Sequence, residues 1–466
     1  MKIQFCGGAQ NVTGSQFLLT VGGSRVLLEC GLFQGRRDES RQRNESFLYE
    51  PSTVNAALLT HAHMDHTGNV PTLIKRGYTG PVSATSATAE LCAIMLKDSA
   101  YLQERDVHFV NKIRARQHLP PAEVLYTVEE AQSAMQAFVT RAYDETFEVV
   151  PGVTARFHDA GHILGSAGIL LEIDEPGRGR RRLGLAVDIG RPNMPVLRDP
   201  NALRDLDVLL MECTYGNRTH GDFNTVREDL AQTLREVTQS GGKIIVPSFA
   251  VGRTQMLVYL LHELFDQNRI PEVPVFVDSP MALEATEIYR RHTEMLDRAT
   301  YRTFLRDNQD PFGFRRLKYV RDVKESKELN ELKYPAVIIS SSGMCEGGRI
   351  LHHLRNNIDN PKNMILFVGY SAKNTLGRRL ADGAETVRIF GEEHRVRCRV
   401  KVMDGFSAHA DRQVLLDYAA MTPPAKLKHI FLVHGEEDQA LPLRDALRSK
   451  GYPSVEYPAQ GETVEI

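Results

Sequence analysis

Within six residues the chain carries His61, His63, Asp65 and His66. Imidazole nitrogen and carboxylate oxygen suit zinc, above all in a hydrolytic site that keeps a position open for water. Residues 56–60, just before, are apolar and read as a short buried strand. Four ligand side chains therefore leave one strand end in a single tight turn. One turn cannot complete two coordination spheres, so distant residues must converge on it. A His-rich surface loop is the competing reading, but it leaves the buried strand unexplained. Glu29, His162, Asp188, Glu212, His409 and His434 share the setting: each follows or ends an apolar stretch, beside Gly, Ser, Thr, Ala or Cys. A lone strand-end histidine is usually a satisfied core residue. Its recurrence along one chain points instead to a common centre.

The elements that must position these residues fall into two grammars. Residues 2–6, 15–21 and 25–30 read as strands, with a hairpin turn at Gly22–Gly23–Ser24. Arg36, Arg37, Arg41 and Arg43 follow in what reads as a solvated polar loop. Residues 69–77 read as a helix, 80–84 as a turn and strand, and 86–150 as mostly helical with a break at Pro120–Pro121. Strands then deliver His162 and Asp188. Arg178, Arg180, Arg181 and Arg182 lie between two of these strands, at an expected hairpin tip. A further strand ends at Glu212. From about residue 216 to 398, strand, loop and helix alternate, which predicts a parallel sheet covered on both faces. Ligands of such sheets sit at the carboxyl ends of the strands. The tail returns to the first grammar, with His409 and His434 after strands.

The 466 residues exceed one core and suffice for two or three domains. A formal net charge of −2 provides no global basic field, so a polyanionic substrate needs a local patch or the metals. Six cysteines without a C-x-x-C pair favour buried thiols in a reducing compartment. No signal-peptide core and no membrane-length apolar run is visible, so the cytoplasm is expected and no membrane partner.

The H-x-H-x-D-H turn, His162 in its glycine-flanked loop and Asp188 in V-D-I-G together resemble the metallo-β-lactamase fold. Glu212 in M-E-C-T-Y-G, His409 in F-S-A-H-A-D and His434 in L-V-H-G-E resemble the added motifs of its β-CASP branch. That branch holds the pre-mRNA 3′-end endonuclease and a set of prokaryotic ribonucleases. The resemblance implies an αββα sandwich in two parts, 1–213 and 399–466, with a doubly wound α/β β-CASP domain inserted at 214–398. It implies two zinc ions. His61, His63 and His162 would hold one; Asp65, His66 and His434 the other; Asp188 would bridge them, with a hydroxide as the second bridge. Asp65 belongs with the catalytic groups as well as with the ligands. His409 is assigned as general acid to the leaving oxygen and Glu212 as its orienter. Glu29 stands where the family usually has Asp; its role would be to steer the 61–66 turn by hydrogen bonds.

The strand-end loop Ser340–Ser341–Ser342–Gly343–Met344 precedes a helix and could receive a phosphate on backbone N–H groups. His352, His353, Lys373, Arg253, Arg378 and Arg379 read first as helix-surface residues and second as a phosphate track. The leading expectation is a zinc-dependent ribonuclease acting on single-stranded RNA held between facing strand-end surfaces. Endonuclease and 5′-exonuclease modes stay open, as does a homodimer. The rivals are a small-molecule hydrolase, a catalytically inactive RNA-binding subunit and a DNA-directed nuclease of the same fold. None of the seven expected ligands is substituted, which speaks against the inactive subunit.

Overall fold

In a computed structural model, residues 1–35, 37–175, 177, 179–304, 306, 308–369, 371–372 and 374–466 are described, save for the side chains of Arg37 and Asp38. Arg36, Arg178 and Lys373 lie outside them. The chain forms two compact units: 1–193, 199–219 and 409–466 make the first, and 194–198 with 220–408 the second.

The first unit holds two seven-stranded sheets. One runs Thr463–Glu465, Lys2–Gly7, Gln16–Val21, Ser24–Leu28, Ala56–Leu58, Val82–Ala84, Phe138–Thr140. The other runs Val455–Glu456, His429–Val433, Val208–Glu212, Gly179–Ala186, Ala167–Glu175, Val153–Asp159, Thr146–Val150. Period-two alternation decides which side chains meet. Ile3, Phe5, Phe17, Leu19, Val26 and Leu28 of the first sheet share a buried cluster with Phe157, Ile169, Leu185, Leu210 and Phe431 of the second. The intervening residues face outward and are buried too. Leu18 and Leu27 pack with Val70 and Leu73 of helix Val70–Lys75. Leu209, Met211, Ile430 and Leu432 pack with helices Arg412–Ala419 and Glu437–Ser449. Both sheets are thus covered on both faces, giving the αββα order.

The second unit carries a six-stranded sheet: Leu317–Tyr319, Val275–Asp278, Val337–Ser340, Ile244–Pro247, Met364–Phe367, Arg399–Val402. Every neighbouring pair is parallel. The doubly wound expectation is met. Strand Arg399–Val402, expected in the returning sandwich, instead pairs with Met364–Phe367 and moves the boundary from 398 to 408. At the other end the second unit begins at His220 rather than 214.

Three local expectations change. Residues 86–150 are helical only in part. After helices Ser86–Arg116 and Val128–Ala134 come strands Phe138–Thr140 and Thr146–Val150, whose aromatic and β-branched residues suit a sheet. Arg37–Glu45 is a helix, not a loop, with an Arg41–Glu45 pair one turn apart. Arg180, Arg181 and Arg182 lie within a strand rather than at a tip. Among the described residues, no helix is long and apolar enough to cross a membrane.

Candidate metal centre

In the first unit, strands Ser24–Leu28, Ala56–Leu58, Val153–Asp159, Gly179–Ala186, Val208–Glu212 and His429–Val433 end close together, and each delivers a site residue at or just past its carboxyl end. The turn-off is abrupt. Glu29, Asp188 and His434 adopt left-handed backbone, with φ of 67, 53 and 47°. Such residues cost of order 1–3 kcal/mol each and persist only where their surroundings over-determine them. Here backbone contacts do so. Ser15 donates its N–H to the Asp65 carbonyl at 2.8 Å and Cys30 donates to His66 at 2.8 Å. Gly31 must be glycine for this approach, since a Cβ there would lie 1.7 Å from the Asp65 oxygen. Ala410 donates to the Ile189 carbonyl at 2.7 Å and so sets His409 beside Asp188.

Two sets of ligand atoms face the two oxygens of Asp188. His61 Nε2 and His162 Nε2 lie 3.3 and 3.2 Å from Oδ2, with His63 Nδ1 at 3.9 Å. His66 Nε2 and His434 Nδ1 lie 3.4 and 3.1 Å from Oδ1. Asp65 Oδ2 lies 3.4 Å from His434 Nε2 and 3.8 Å from His66 Nε2. His61, His63, His162 and Asp188 form one ligand-spaced group, and Asp65, His66 and His434 a second. Asp188 is therefore placed to serve both.

The remote ring nitrogens are held from behind. Glu29 accepts the Thr60 N–H at 2.7 Å through one oxygen and meets His66 Nδ1 at 3.0 Å through the other. Thr60 Oγ1 lies 3.0 Å from His61 Nδ1, whereas Thr214 Oγ1 lies 3.1 Å from His434 Nδ1, the nitrogen that also faces Asp188. Ser166 Oγ accepts the N–H groups of His162 and Ile163, at 3.0 and 3.3 Å. Thr60, Thr214 and Ser166 were not singled out in the sequence. Thr60 and Thr214 each stand within two residues of a site residue, but hydroxyls are too common there to signal a role.

Alongside the ligands, His409 Nδ1 lies 3.1 Å from Glu212 Oε2. Glu212 is fully buried and fixed by the Ile189 N–H at 2.5 Å. The other imidazole nitrogen, Nε2, is 3.9 Å from Asp188.

The residues fit a metal. Among the described residues, His66 Nε2 and Asp188 Oδ1 are buried and make no hydrogen bond. Buried polar groups are rarely left so, and a cation would satisfy both. For His61 and His162 the titration behaviour agrees. Burial pushes His61 down to about 3, with His66 adding to it. Burial likewise holds His162 well below the usual histidine range. Both rings are then neutral, which is the form that ligates. Burial also opposes charge on His66, but Asp188 and Asp65 outweigh it and hold that ring well above its ordinary value. His409 is pushed up to about 9, where Glu212 and then Asp188 outweigh burial.

The loop Ser340–Met344 lies in the second unit, past the end of Val337–Ser340. Ser340 Oγ donates to the Asp278 carbonyl at 2.9 Å and Ser341 Oγ to Ser279 Oγ at 3.1 Å. Ser342 Oγ accepts the Glu346 N–H at 3.2 Å. The helix that follows is Ile350–Asn357. Among the phosphate-track candidates, His353 is fully buried on Asp278 and so is not a surface residue. Arg378 pairs with Asp382 on its own helix at 2.9 Å.

Comparison with known proteins agrees with this arrangement. Residues 10–130 match the metallo-β-lactamase superfamily, 254–380 the β-CASP domain, and 393–458 the Zn-dependent metallo-hydrolase RNA specificity domain. The chain is 36% identical over 451 residues to ribonuclease TTHA0252 of Thermus thermophilus, covering 97% of each. It is 30% identical to the transcription termination factor FttA of Methanocaldococcus jannaschii, over 96% of this chain and 69% of that one. A crystal structure of a protein of unknown function from Enterococcus faecalis V583 shares the fold at a TM-score of 0.53 and 11% identity, over 99% of both chains. Two sheets that bring their strand ends to one histidine and carboxylate cluster, and a relative alike from end to end, place the chain in the β-CASP family of metallo-β-lactamase-fold proteins.

Proposed function

We propose that this protein is a zinc-dependent ribonuclease that hydrolyses phosphodiester bonds of single-stranded RNA in the cytoplasm. The observation that carries the reading is the His409–Glu212 pair set against the ligand cluster. A metal site alone fits many hydrolases. A histidine tied through one nitrogen to a buried carboxylate, with its other nitrogen turned toward the bridging aspartate, fits a reaction that must protonate a poor leaving group. The relative named as a ribonuclease supports RNA as the substrate.

His61, His63 and His162 would hold one zinc and Asp65, His66 and His434 the other, with Asp188 between them. Bound there, the pair would supply an acidified water and Lewis acidity toward the phosphoryl oxygens. The chain's residues do the rest. Glu29 and Thr60 fix ring orientation, so that His66 and His61 present set nitrogens. Glu212 keeps a proton on His409 Nδ1, and Nε2 carries the proton delivered to the departing ribose oxygen. Metal-free His409 stays protonated up to about 9; cations close by would lower that value, bringing the acid nearer neutral pH. Loop Ser340–Met344 is the proposed seat for a phosphate of the same strand.

The test uses unstructured RNA labelled at its 5′ or 3′ end. Wild-type protein with about two zincs per chain should cleave it, more slowly as salt rises. His409→Ala should keep the zinc and slow cleavage by roughly 10²–10⁴-fold. Glu212→Gln should match it, and the double variant should be little worse than either single one. Loss of zinc from His409→Ala would make His409 a ligand and remove the general acid.

A further inference from the structure

In the first unit, strand Val82–Ala84 passes through Thr85 into helix Ser86–Arg116. Thr85 caps that helix, its hydroxyl accepting the Thr88 N–H at 3.2 Å. The same hydroxyl donates to the Gly165 carbonyl at 2.7 Å, and the Thr88 hydroxyl donates to that carbonyl at 2.9 Å. Both threonines are buried. One carbonyl oxygen thus has both lone pairs engaged by one helix end. The approach requires glycine: Gly165 has a φ of 79°, and a Cβ there would lie 2.7 Å from both Thr85 Oγ1 and the Thr88 nitrogen. Gly165 shares a tight loop with His162, and that loop is stiff. Ala160 donates its N–H to the Ser166 carbonyl at 3.0 Å, and Ser166 donates to Ile163 at 3.0 Å. The Tyr143 hydroxyl donates to the Ser166 carbonyl at 2.8 Å. A shift of Gly165 therefore carries His162 with it.

His162 depends on such support more than its neighbours do. The rings of His61 and His66 are each met at Nδ1, by Thr60 and Glu29. His162 Nδ1 is buried and makes no hydrogen bond among the described residues. With no bond behind the ring, its position follows from where its loop is held. The ligands also come from both sheets. His61 and His63 follow strand Ala56–Leu58 of one, and His162 follows Val153–Asp159 of the other. Val82–Ala84 pairs with Ala56–Leu58, so Thr85 leaves the sheet beside the strand that delivers His61. A working site holds its ligands to within about 0.5 Å, which two sheets joined only through their cores do not guarantee. We propose that Thr85 and Thr88 are positioning residues for the zinc at His61, His63 and His162. They hold the His162 loop of one sheet against the His61–His63 turn of the other. The proposal rests on the zinc-ribonuclease reading and deepens it, by naming residues that govern one metal site and not the other.

Thr88→Val keeps the side-chain shape, removes the hydroxyl and spares the Thr85 cap. Competition with a chromophoric chelator, run on the full-length zinc-loaded protein, should show one zinc weakened and the other unchanged. The loss should be roughly 10-fold in Thr88→Val and roughly 100-fold when Thr85→Val is added, the range for losses behind a metal ligand. Thr88→Val carries the test by itself where the double variant does not fold. Thr88→Ser keeps the hydroxyl and should restore wild-type affinity. In a His162→Ala background, Thr88→Val should add nothing, because the clamp acts through His162. Melts of the metal-free variants separate positioning from general stability. A lower metal-free melting temperature with wild-type zinc affinity overturns the proposal and makes the two threonines purely structural. Equal loss of both zincs, or a further loss in the His162→Ala background, overturns it too. Wild-type protein that holds zinc but cleaves no RNA removes the ribonuclease and leaves the clamp standing. Wild-type protein that takes up no zinc overturns both.

Discussion

Asp188 and Asp278 stand at the carboxyl ends of strands, one in each unit, and both are buried and face histidine. Their surroundings differ in one respect. Asp278 is closed: Arg349 Nη1 lies 2.6 Å from Oδ1, and His353 Nε2 and Ser326 Oγ lie 2.7 and 2.5 Å from Oδ2. His353 is in turn 2.9 Å from Asn330 Oδ1. Asp188 is open: several imidazoles surround it, but Oδ1 makes no hydrogen bond among the described residues. A closed buried network holds a fold together, whereas an open one is built to be completed by something else.

The sharpest way to break the comparison is at the open site. Asp188→Ala removes the one carboxylate that faces both ligand groups. Zinc content should fall to background for both metals, and RNA cleavage should fall further than the roughly 10²–10⁴-fold expected for losing the general acid. Metal analysis of the purified variant, run beside the cleavage assay, checks it. One zinc retained at full occupancy would show that Asp188 does not bridge.

A smaller effect is expected at Glu29. Its two oxygens reach the Thr60 N–H and His66 Nδ1 at the same time. Glu29→Asp shortens the side chain by one methylene, so one contact must lapse. Zinc affinity should drop roughly 10–100-fold, as for other losses behind a metal ligand. Competition with a chromophoric chelator reads it. Unchanged affinity would mean that the strand end shifts to follow the shorter acid.

The same contrast explains what the sequence disclosed. Open-site residues were legible because metal chemistry needs rare residue types in number: His61, His63, Asp65 and His66 in one turn leave few other readings. Their end-of-strand setting then pointed to His162, Asp188, Glu212, His409 and His434, all of which meet in one cluster. The hydroxyls that orient them were not legible, because threonine and serine are ordinary at strand ends. The closed site was misread. His353 looked like a helix-surface residue, since nothing local marks it as the partner of an aspartate 75 positions away. Strand Arg399–Val402 was misassigned for the same reason, as pairing with Met364–Phe367 is a tertiary choice that local pattern does not carry.

The effect that tests the closed site is on stability, not on zinc content or cleavage. Asp278→Asn leaves the buried His353 and the half-buried Arg349 around a neutral amide, which should destabilise the protein by about 1–3 kcal/mol, the cost of leaving buried polar groups without their partner. Zinc content should not change, since Asp278 touches no ligand. The effect has a sign in pH. Burial alone would raise the pKa of Asp278, but His353, then Ser326 and Arg349, outweigh it and hold the carboxyl below its ordinary range. A depressed acid contributes stability that is present above its unfolded pKa of about 3.9 and is lost as pH falls through the lower folded value. Denaturant melts of wild type and Asp278→Asn should therefore stand furthest apart at pH 7 and converge below about pH 4. A gap that stays constant from pH 7 to pH 3 would mean that the carboxylate's charge contributes nothing, and that Asp278 acts through packing alone.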